Sequence, residues 1–332
     1  MSDWTTPGVY PVAEGVHRIP LPLPNDGLRA VNVYAITDGD SLVLVDSGWA
    51  IPESMEQLER GLATLGADLG DVSRILVTHV HRDHYTQAVT IRRRVGSDVA
   101  LGAGEKPSMD LLLHRAAEAN VLNADRMARY GAQQLADLIR NAPPSEGGPW
   151  EAPDQWLEEG DTIALGSRSL DSVPTPGHTR GHVVFVDAAA DLLFAGDHVL
   201  PSITPSIAVE PGPPRLALGD YLQSLRVVRA MPDRMLLPAH GAVTDSAHKR
   251  IDELLEHHDT RLADTLAAVT QGSTVLDVAR ILRWTRHKRS YADLDIFNQV
   301  LAIGETAAHL DLLVHQGRLR CDDRSGVSAY GS

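Results

Sequence analysis

Val77-Thr78-His79-Val80-His81-Arg82-Asp83-His84-Tyr85 puts three histidines and an aspartate into six consecutive positions. The apolar run Ile75-Leu76-Val77 leads into it and reads as the end of a buried strand. Imidazole and carboxylate are the donors that zinc and similar divalent ions prefer. In extended backbone, residues i and i+2 point the same way. His79 and His81 can therefore grip one ion, while Asp83 and His84 on the following turn reach a second. A merely solvated, histidine-rich loop would stand alone. Here three further fragments follow in order, each at the end of a short apolar run: Pro176-Gly177-His178-Thr179, Phe194-Ala195-Gly196-Asp197 and Leu237-Pro238-Ala239-His240-Gly241.

The ordered set resembles the metallo-β-lactamase-fold hydrolases over about residues 15 to 245. The resemblance implies an α/β fold, an αββα sandwich of two sheets between helices. It implies two divalent ions, zinc foremost. His79, His81 and His178 would hold one ion and Asp83, His84 and His240 the other, with Asp197 bridging both. Asp83 would also be the catalytic group, orienting a hydroxide generated at the metals. Asp46, in Asp46-Ser47-Gly48 at a strand end, would stand behind the ligands. A carboxylate there can accept the far N–H of a ligand histidine and fix its tautomer; alternatively it only opens a turn.

Three other residues near the motifs have two readings each. Many members of the resembled family carry glycines directly after the last histidine of the motif, whereas this chain has Tyr85-Thr86-Gln87. Tyr85 is either a donor to a substrate oxygen or a packed aromatic. His182, at a strand start, is read as a support for the ligands or as structural. His198 is either a substrate contact or packed.

The totals bound the class. A chain of 332 residues with 43% hydrophobic and 22% charged residues is a globular protein long enough for two domains. No apolar run approaches the ~18 residues of a membrane span, and no secretory signal is visible at the start. A cytoplasmic location is the expectation. The single cysteine, Cys321, excludes an internal disulfide and is expected as a small hydrophobe in a terminal strand. A formal charge of −14 argues against nucleic acid as a partner, since non-specific binding needs a positive surface. A small-molecule acyl substrate is the expected partner, with no membrane; a homodimer through the tail is possible.

Along the chain, 31–36 and 42–45 flank Thr37-Asp38-Gly39-Asp40 as a hairpin. Helices are expected from about Pro52 to Leu65 and from about Thr86 to Arg94, and a strand from Asp98 to Leu101. Residues 104–150 read as an inserted helical pair, one helix capped by Ser108 and running to about Ala119, the other capped by Asn123 and running to about Arg140. The breaker cluster Pro143-Pro144-Ser145-Glu146-Gly147-Gly148-Pro149 closes the insertion. It is expected as a lid over the metal face. The second half of the sandwich is expected from Leu157 to Pro238, with a helix from Asp220 to Ala230 outside it.

The catalytic domain is drawn as 1–245 and a helical tail as 246–332. In the tail, Ile251, Leu254, Leu255, His258, Leu262 and Leu266 form one stripe. Thr274 to Asp277 resembles a capping box, a third helix spans about Leu294 to Gln316, and a hairpin turns at Arg324-Ser325-Gly326. This looks like the winged-helix tail of one branch of the resembled superfamily. The pair His257-His258 is expected as surface or packing. A basic cluster, Arg280, Arg283, Arg286, His287, Lys288 and Arg289 around Trp284, reads as a solvated loop or as a phosphate or nucleic-acid contact.

The reaction implied is hydrolysis of an activated bond, with preference for a thioester or ester of a small to medium acyl substrate. The alternatives are an endoribonuclease, a mononuclear-iron sulfur dioxygenase and a non-catalytic binding protein.

Overall fold

The computed structural model describes residues 3–24, 27–142, 148–166, 168–207, 210, 212 and 216–331, the side chains of 116 and 117 excepted. The first sheet begins as an antiparallel meander: β1 (Tyr10–Ala13), β2 (Val16–Pro22), β3 (Ala30–Asp38) and β4 (Ser41–Val45). Helix α1 (Pro52–Thr64) then crosses to β5 (Val72–Val77), and α2 (Arg82–Val95) crosses to β6 (Asp98–Gly102). From β4 onward the neighbours are parallel, because each return runs through a helix. Pro52 opens α1 at the position where a missing N–H costs nothing, and Gly96 ends α2 in the left-handed conformation.

The insertion follows as α3 (Lys106–His114), α4 (Ala116–Arg129) and α5 (Gln133–Asn141). The short β7 (Gln155–Leu157) returns to the edge of the first sheet beside β6. The second sheet is β8 (Thr162–Leu165), β9 (Arg168–Pro174), β10 (Val183–Asp187) and β11 (Leu192–Gly196), all antiparallel. After α6 (Ala217–Ala230), β12 (Met235–Pro238) joins it parallel to β11. The tail is α7 (Ala247–Ala268), α8 (Val275–Ile281), α9 (Ile296–His315) and the hairpin β13 (Arg320–Arg324) and β14 (Val327–Gly331).

Three apolar layers hold this together. Between the sheets lie Ile36, Leu76, Phe185 and Leu237, with Tyr34 edge-on to Phe194 at 5.4 Å. Outside the first sheet, Leu58, Leu62 and Val89 of α1 and α2 cover Ile19 and Ile75. Outside the second sheet, Leu218 and Leu225 of α6 share one cluster with Met127 and Leu135 of the insertion and Ile251, Leu310 and Tyr330 of the tail. Each such fully buried aliphatic or aromatic side chain contributes roughly 1.5–3 kcal/mol. The result is the expected αββα sandwich with a helical C-terminal part.

Several local expectations are corrected. The second helix begins at Arg82, so Asp83 and His84 lie within its first turn. The insertion has three helices because the chain breaks at Arg115 and at Gly131, which has φ 82°. Ser108 and Asn123 are therefore interior to α3 and α4 and cap nothing. Residues 143–147 of the breaker cluster lie outside the described residues. Leu157 belongs to the first sheet, not the second. Helices α4 and α5 pack against the second sheet and the tail. The Leu276 N–H donates to Tyr130 O at 3.1 Å, and Arg129 Nε to Ser328 Oγ at 3.3 Å. From Ala247 the chain runs through α7, α8 and α9 before its closing hairpin, and one apolar core joins these helices to α6 and the second sheet. Cys321 sits in β13 but is exposed.

Candidate metal centre

The site gathers where β5, β9, β11 and β12 end. Chain leaving β5 carries His79 and His81, and the first turn of α2 swings Asp83 and His84 back over the same point. The connection after β9 brings His178, and the ends of β11 and β12 bring Asp197 and His240. Gly196 permits this approach. It has φ 50°, and a side chain there would sit 2.7 Å from both His182 Nε2 and Thr78.

Two groups result, His79–His81–His178–Asp197 and Asp83–His84–His240, with the donor atoms of each within 4.8 Å of one another. His81 Nδ1 is 3.0 Å from His79 Nε2 and 3.1 Å from His178 Nε2. Ligands of a tetrahedral zinc ion with ~2.0–2.1 Å bonds would stand about 3.3 Å apart, so this spacing fits one ion. Asp197 faces both groups. Its Oδ2 is 3.4 Å from His178 Nε2, and its Oδ1 is 3.4 Å from His240 Nε2 and 3.7 Å from His84 Nε2. Asp83 Oδ2 lies 3.3 Å from His240 Nε2 and 3.5 Å from His84 Nε2.

The fit to a cation is tested by atoms that face one another across the centre without a hydrogen bond. His84 Nε2, His240 Nε2 and Asp197 Oδ1 are buried and make no hydrogen bond among the described residues. Leaving such atoms unsatisfied costs about 1–3 kcal/mol each. All three converge on one point, as ligands of a divalent ion would.

Behind the donors, the other ring nitrogens are tied down. His84 Nδ1 donates to Asp46 Oδ2 at 2.9 Å, His178 Nδ1 to Ser206 O at 2.7 Å and His240 Nδ1 to Ala30 O at 2.7 Å. Those bonds fix the tautomer that leaves Nε2 free to face the centre. Asp46 itself is held by the Thr78 N–H at 2.9 Å, with φ 58° at its own backbone.

The two halves differ electrostatically. Burial, reinforced by His178, holds the His81 pKa down at about 3, and burial with the neighbouring histidines holds His79 well below its usual range. Burial opposes charge on His84 and His240 too, but the carboxylates outweigh it and raise both. Burial would likewise raise Asp83, yet His84 and His240 hold it well below the carboxylate range. The site thus offers neutral imidazoles at His79, His81 and His178, and ionised Asp83 and Asp197 facing His84 and His240.

The remaining expected residues are sorted by helix geometry. Tyr85 is fully buried; its hydroxyl donates to Glu151 O at 2.8 Å and its ring stacks on Trp150. A helix turns about 100° per residue, so the residue after His84 points into the core; the substrate-donor reading of Tyr85 is corrected. His198 is also buried, edge-on to Tyr221 at 5.4 Å, and packs instead of lining the mouth. His182 accepts from the Asp197 N–H and supports the site. His258 is buried against Tyr221 and His309. In the basic cluster, Trp284 is buried beneath Arg261 and donates to Ala279 O, so its ring offers no face for stacking. Sequence reasoning missed the carbonyls of Ala30 and Ser206, which carry no residue signature, and Glu105, whose carboxylate accepts from Thr179 Oγ1 beside His178.

Comparison with known proteins bears on the family and the fold. The family model described as the metallo-beta-lactamase superfamily matches residues 26–240. The lactamase-like protein nscB of Aspergillus fumigatus is 25% identical over 74% of this chain and 58% of its own length. An atrochrysone carboxyl ACP thioesterase of the same species is 25% identical over 73% of this chain and 46% of its own. The chain thus spans about half to three-fifths of these relatives. A crystal structure of a beta-lactamase domain protein from Burkholderia ambifaria is 29% identical, with TM-score 0.82, over 97% of this chain and 94% of that one. That likeness takes in the insertion and the tail as well as the sandwich.

Proposed function

Because the chain belongs to the metallo-beta-lactamase superfamily, we propose that it is a metal-dependent hydrolase of a thioester or ester with a small to medium acyl group. Its cofactors in this reading are two divalent ions, zinc foremost. His79, His81, His178 and Asp197 would hold one, and Asp83, His84, His240 and the other oxygen of Asp197 the second. The observation that carries the reading is the convergence of His84 Nε2, His240 Nε2 and Asp197 Oδ1, buried and without hydrogen bonds among the described residues, beside a second trio of imidazole nitrogens. The relative named as a thioesterase supports the choice of bond.

When bound, such ions lower the pKa of water and polarise a scissile carbonyl. The chain's own side chains do the rest. Asp83, kept ionised by His84 and His240 and partly exposed at the mouth, accepts a hydrogen bond from the attacking water and orients it. Asp46, Ser206 and Ala30 hold the imidazoles in register. No side-chain nucleophile is called for: the Ser47 hydroxyl is committed to His84 O at 2.6 Å, and Cys321 sits on the tail hairpin.

The test is thiol release from a panel of acyl-coenzyme A and acyl-glutathione thioesters by zinc-loaded protein, with Asp83→Ala as the control. Turnover that falls at least a hundredfold in the variant supports the reading. A fully loaded protein that releases no thiol from any member overturns the thioester assignment.

A further inference from the structure

Helix α2 carries four arginines, and one of them differs from the rest. Arg92 pairs with Glu151 and Asp154, Arg93 with Glu151, and Arg94 with Glu59. Arg82 makes no ion pair and no side-chain hydrogen bond among the described residues, although the protein carries a net charge of −14. Instead it lies against an aromatic face, its Cζ 5.3 Å from the Trp49 ring centroid. Arg82 is exposed, and it stands between His81 and Asp83, two residues of the centre that keep partial exposure. Its backbone is bonded to both, so a side chain as long as arginine starts within reach of the mouth of the site.

The pair is rigidly mounted. The Ser47 N–H donates to His84 O at 3.1 Å, the Gln87 N–H to Gly48 O at 3.2 Å and the Ala50 N–H to Thr86 Oγ1 at 2.9 Å. Thr86 Oγ1 in turn donates to Arg82 O at 2.5 Å. The segment bearing Trp49 is thus stapled along the first turn of α2, the turn that also presents Asp83 and His84. A cation laid on an indole keeps its charge while losing little of its freedom on meeting an anion. The N-terminus of α2 adds positive potential at the same place.

The geometry points to Arg82, seated on Trp49, as the residue that selects substrates by binding an anionic group held close to the scissile bond. This rests on the hydrolase reading above and names its substrate class: a carboxylate within the acyl group, or a phosphate of the thiol carrier.

Four thioesters separate the sources: glutaryl and pentanoyl groups, each on coenzyme A and on neutral N-acetylcysteamine. Zinc-loaded protein is expected to favour the anionic member of one pairing by about tenfold or more in kcat/KM, the scale of one charge-assisted hydrogen bond. A glutaryl preference on N-acetylcysteamine assigns the acyl carboxylate; a coenzyme A preference for both acyl groups assigns the phosphates. Arg82→Gln should bring the ratio toward one, and Arg82→Lys should keep part of it. No preference in the unaltered protein, or one that survives in Arg82→Gln, overturns the proposal. If none of the four is turned over, the thioester reading fails and Arg82 is judged by binding. Quenching of Trp49 fluorescence, identified by its loss in Trp49→Phe, should then show glutarate bound more tightly than pentanoate, and equally in Arg82→Gln. Equal binding in the unaltered protein overturns it.

Discussion

His182 Nε2 accepts the backbone N–H of Asp197 at 3.1 Å while its ring lies stacked on that of His79, centroids 5.0 Å apart. One imidazole thus touches a residue of the centre from each sheet. Because Nε2 accepts, the proton sits on Nδ1, which donates to Thr175 Oγ1 at 2.9 Å. His182→Ala would leave the Asp197 N–H without its partner and open a void beneath His79. The expected outcome is a loss of about 2–4 kcal/mol in urea unfolding and roughly 10–100-fold weaker zinc binding in a chelator competition. Unchanged zinc affinity in a destabilised variant would reduce His182 to a packing residue.

Removing the metal should cost stability as well as activity. The unbonded atoms His84 Nε2, His240 Nε2 and Asp197 Oδ1 are a penalty that a cation relieves, and a ligand present at a hundred times its Kd stabilises by about 2.7 kcal/mol. Chelated protein should melt several degrees lower and recover on refilling. Asp46→Asn keeps a residue that tolerates the φ of 58° at this position but removes the charge facing His84 Nδ1. It should need about 10–100 times more free zinc for half the recovery. A melting temperature indifferent to chelation would contradict the assignment of these atoms to a metal.

The centre was readable in the sequence because each of its parts ends a strand with a short polar motif, and strand ends of one sandwich must meet. His178, Asp197 and His240 are remote along the chain yet fall into one place for that reason. The supports were readable only where they are side chains: Asp46 was visible, while Ala30 O and Ser206 O are backbone atoms that any residue would supply. Tyr85 failed as a substrate donor because the helix starts three residues before it, and one more step of rotation turns it into the core. The insertion misled for a similar reason. Met127, Tyr130 and Leu135 hold a helical apolar pattern across Gly131, whose left-handed backbone breaks the helix there. The tail stripe on α7 announced burial but not its partners, which are α6, α8 and α9.

Glu105 gives the molecule a measurable response to pH. The residue is fully buried. Its Oε1 accepts from Thr179 Oγ1 and, at 3.4 Å, from the Val80 N–H, while Oε2 has no hydrogen bond among the described residues. Burial, with the nearby charge of Glu210, pushes its pKa from 4.5 up to about 7, although Thr179, Val80 and Arg180 pull the other way. An acid whose folded pKa is raised binds protons more tightly in the native state, so native stability falls as pH rises from about 4.5 to about 7 and then levels off. Glu105→Gln keeps an acceptor oxygen for Thr179 and cannot ionise. Between pH 5 and pH 8 the variant should therefore gain on the unaltered protein by on the order of 2 kcal/mol. Urea midpoints of both proteins at the two pH values measure this, and contributions from the metal-facing histidines cancel in the difference. Parallel pH profiles would mean that Glu105 is already ionised at pH 5, and that Thr179 and Val80 outweigh its burial.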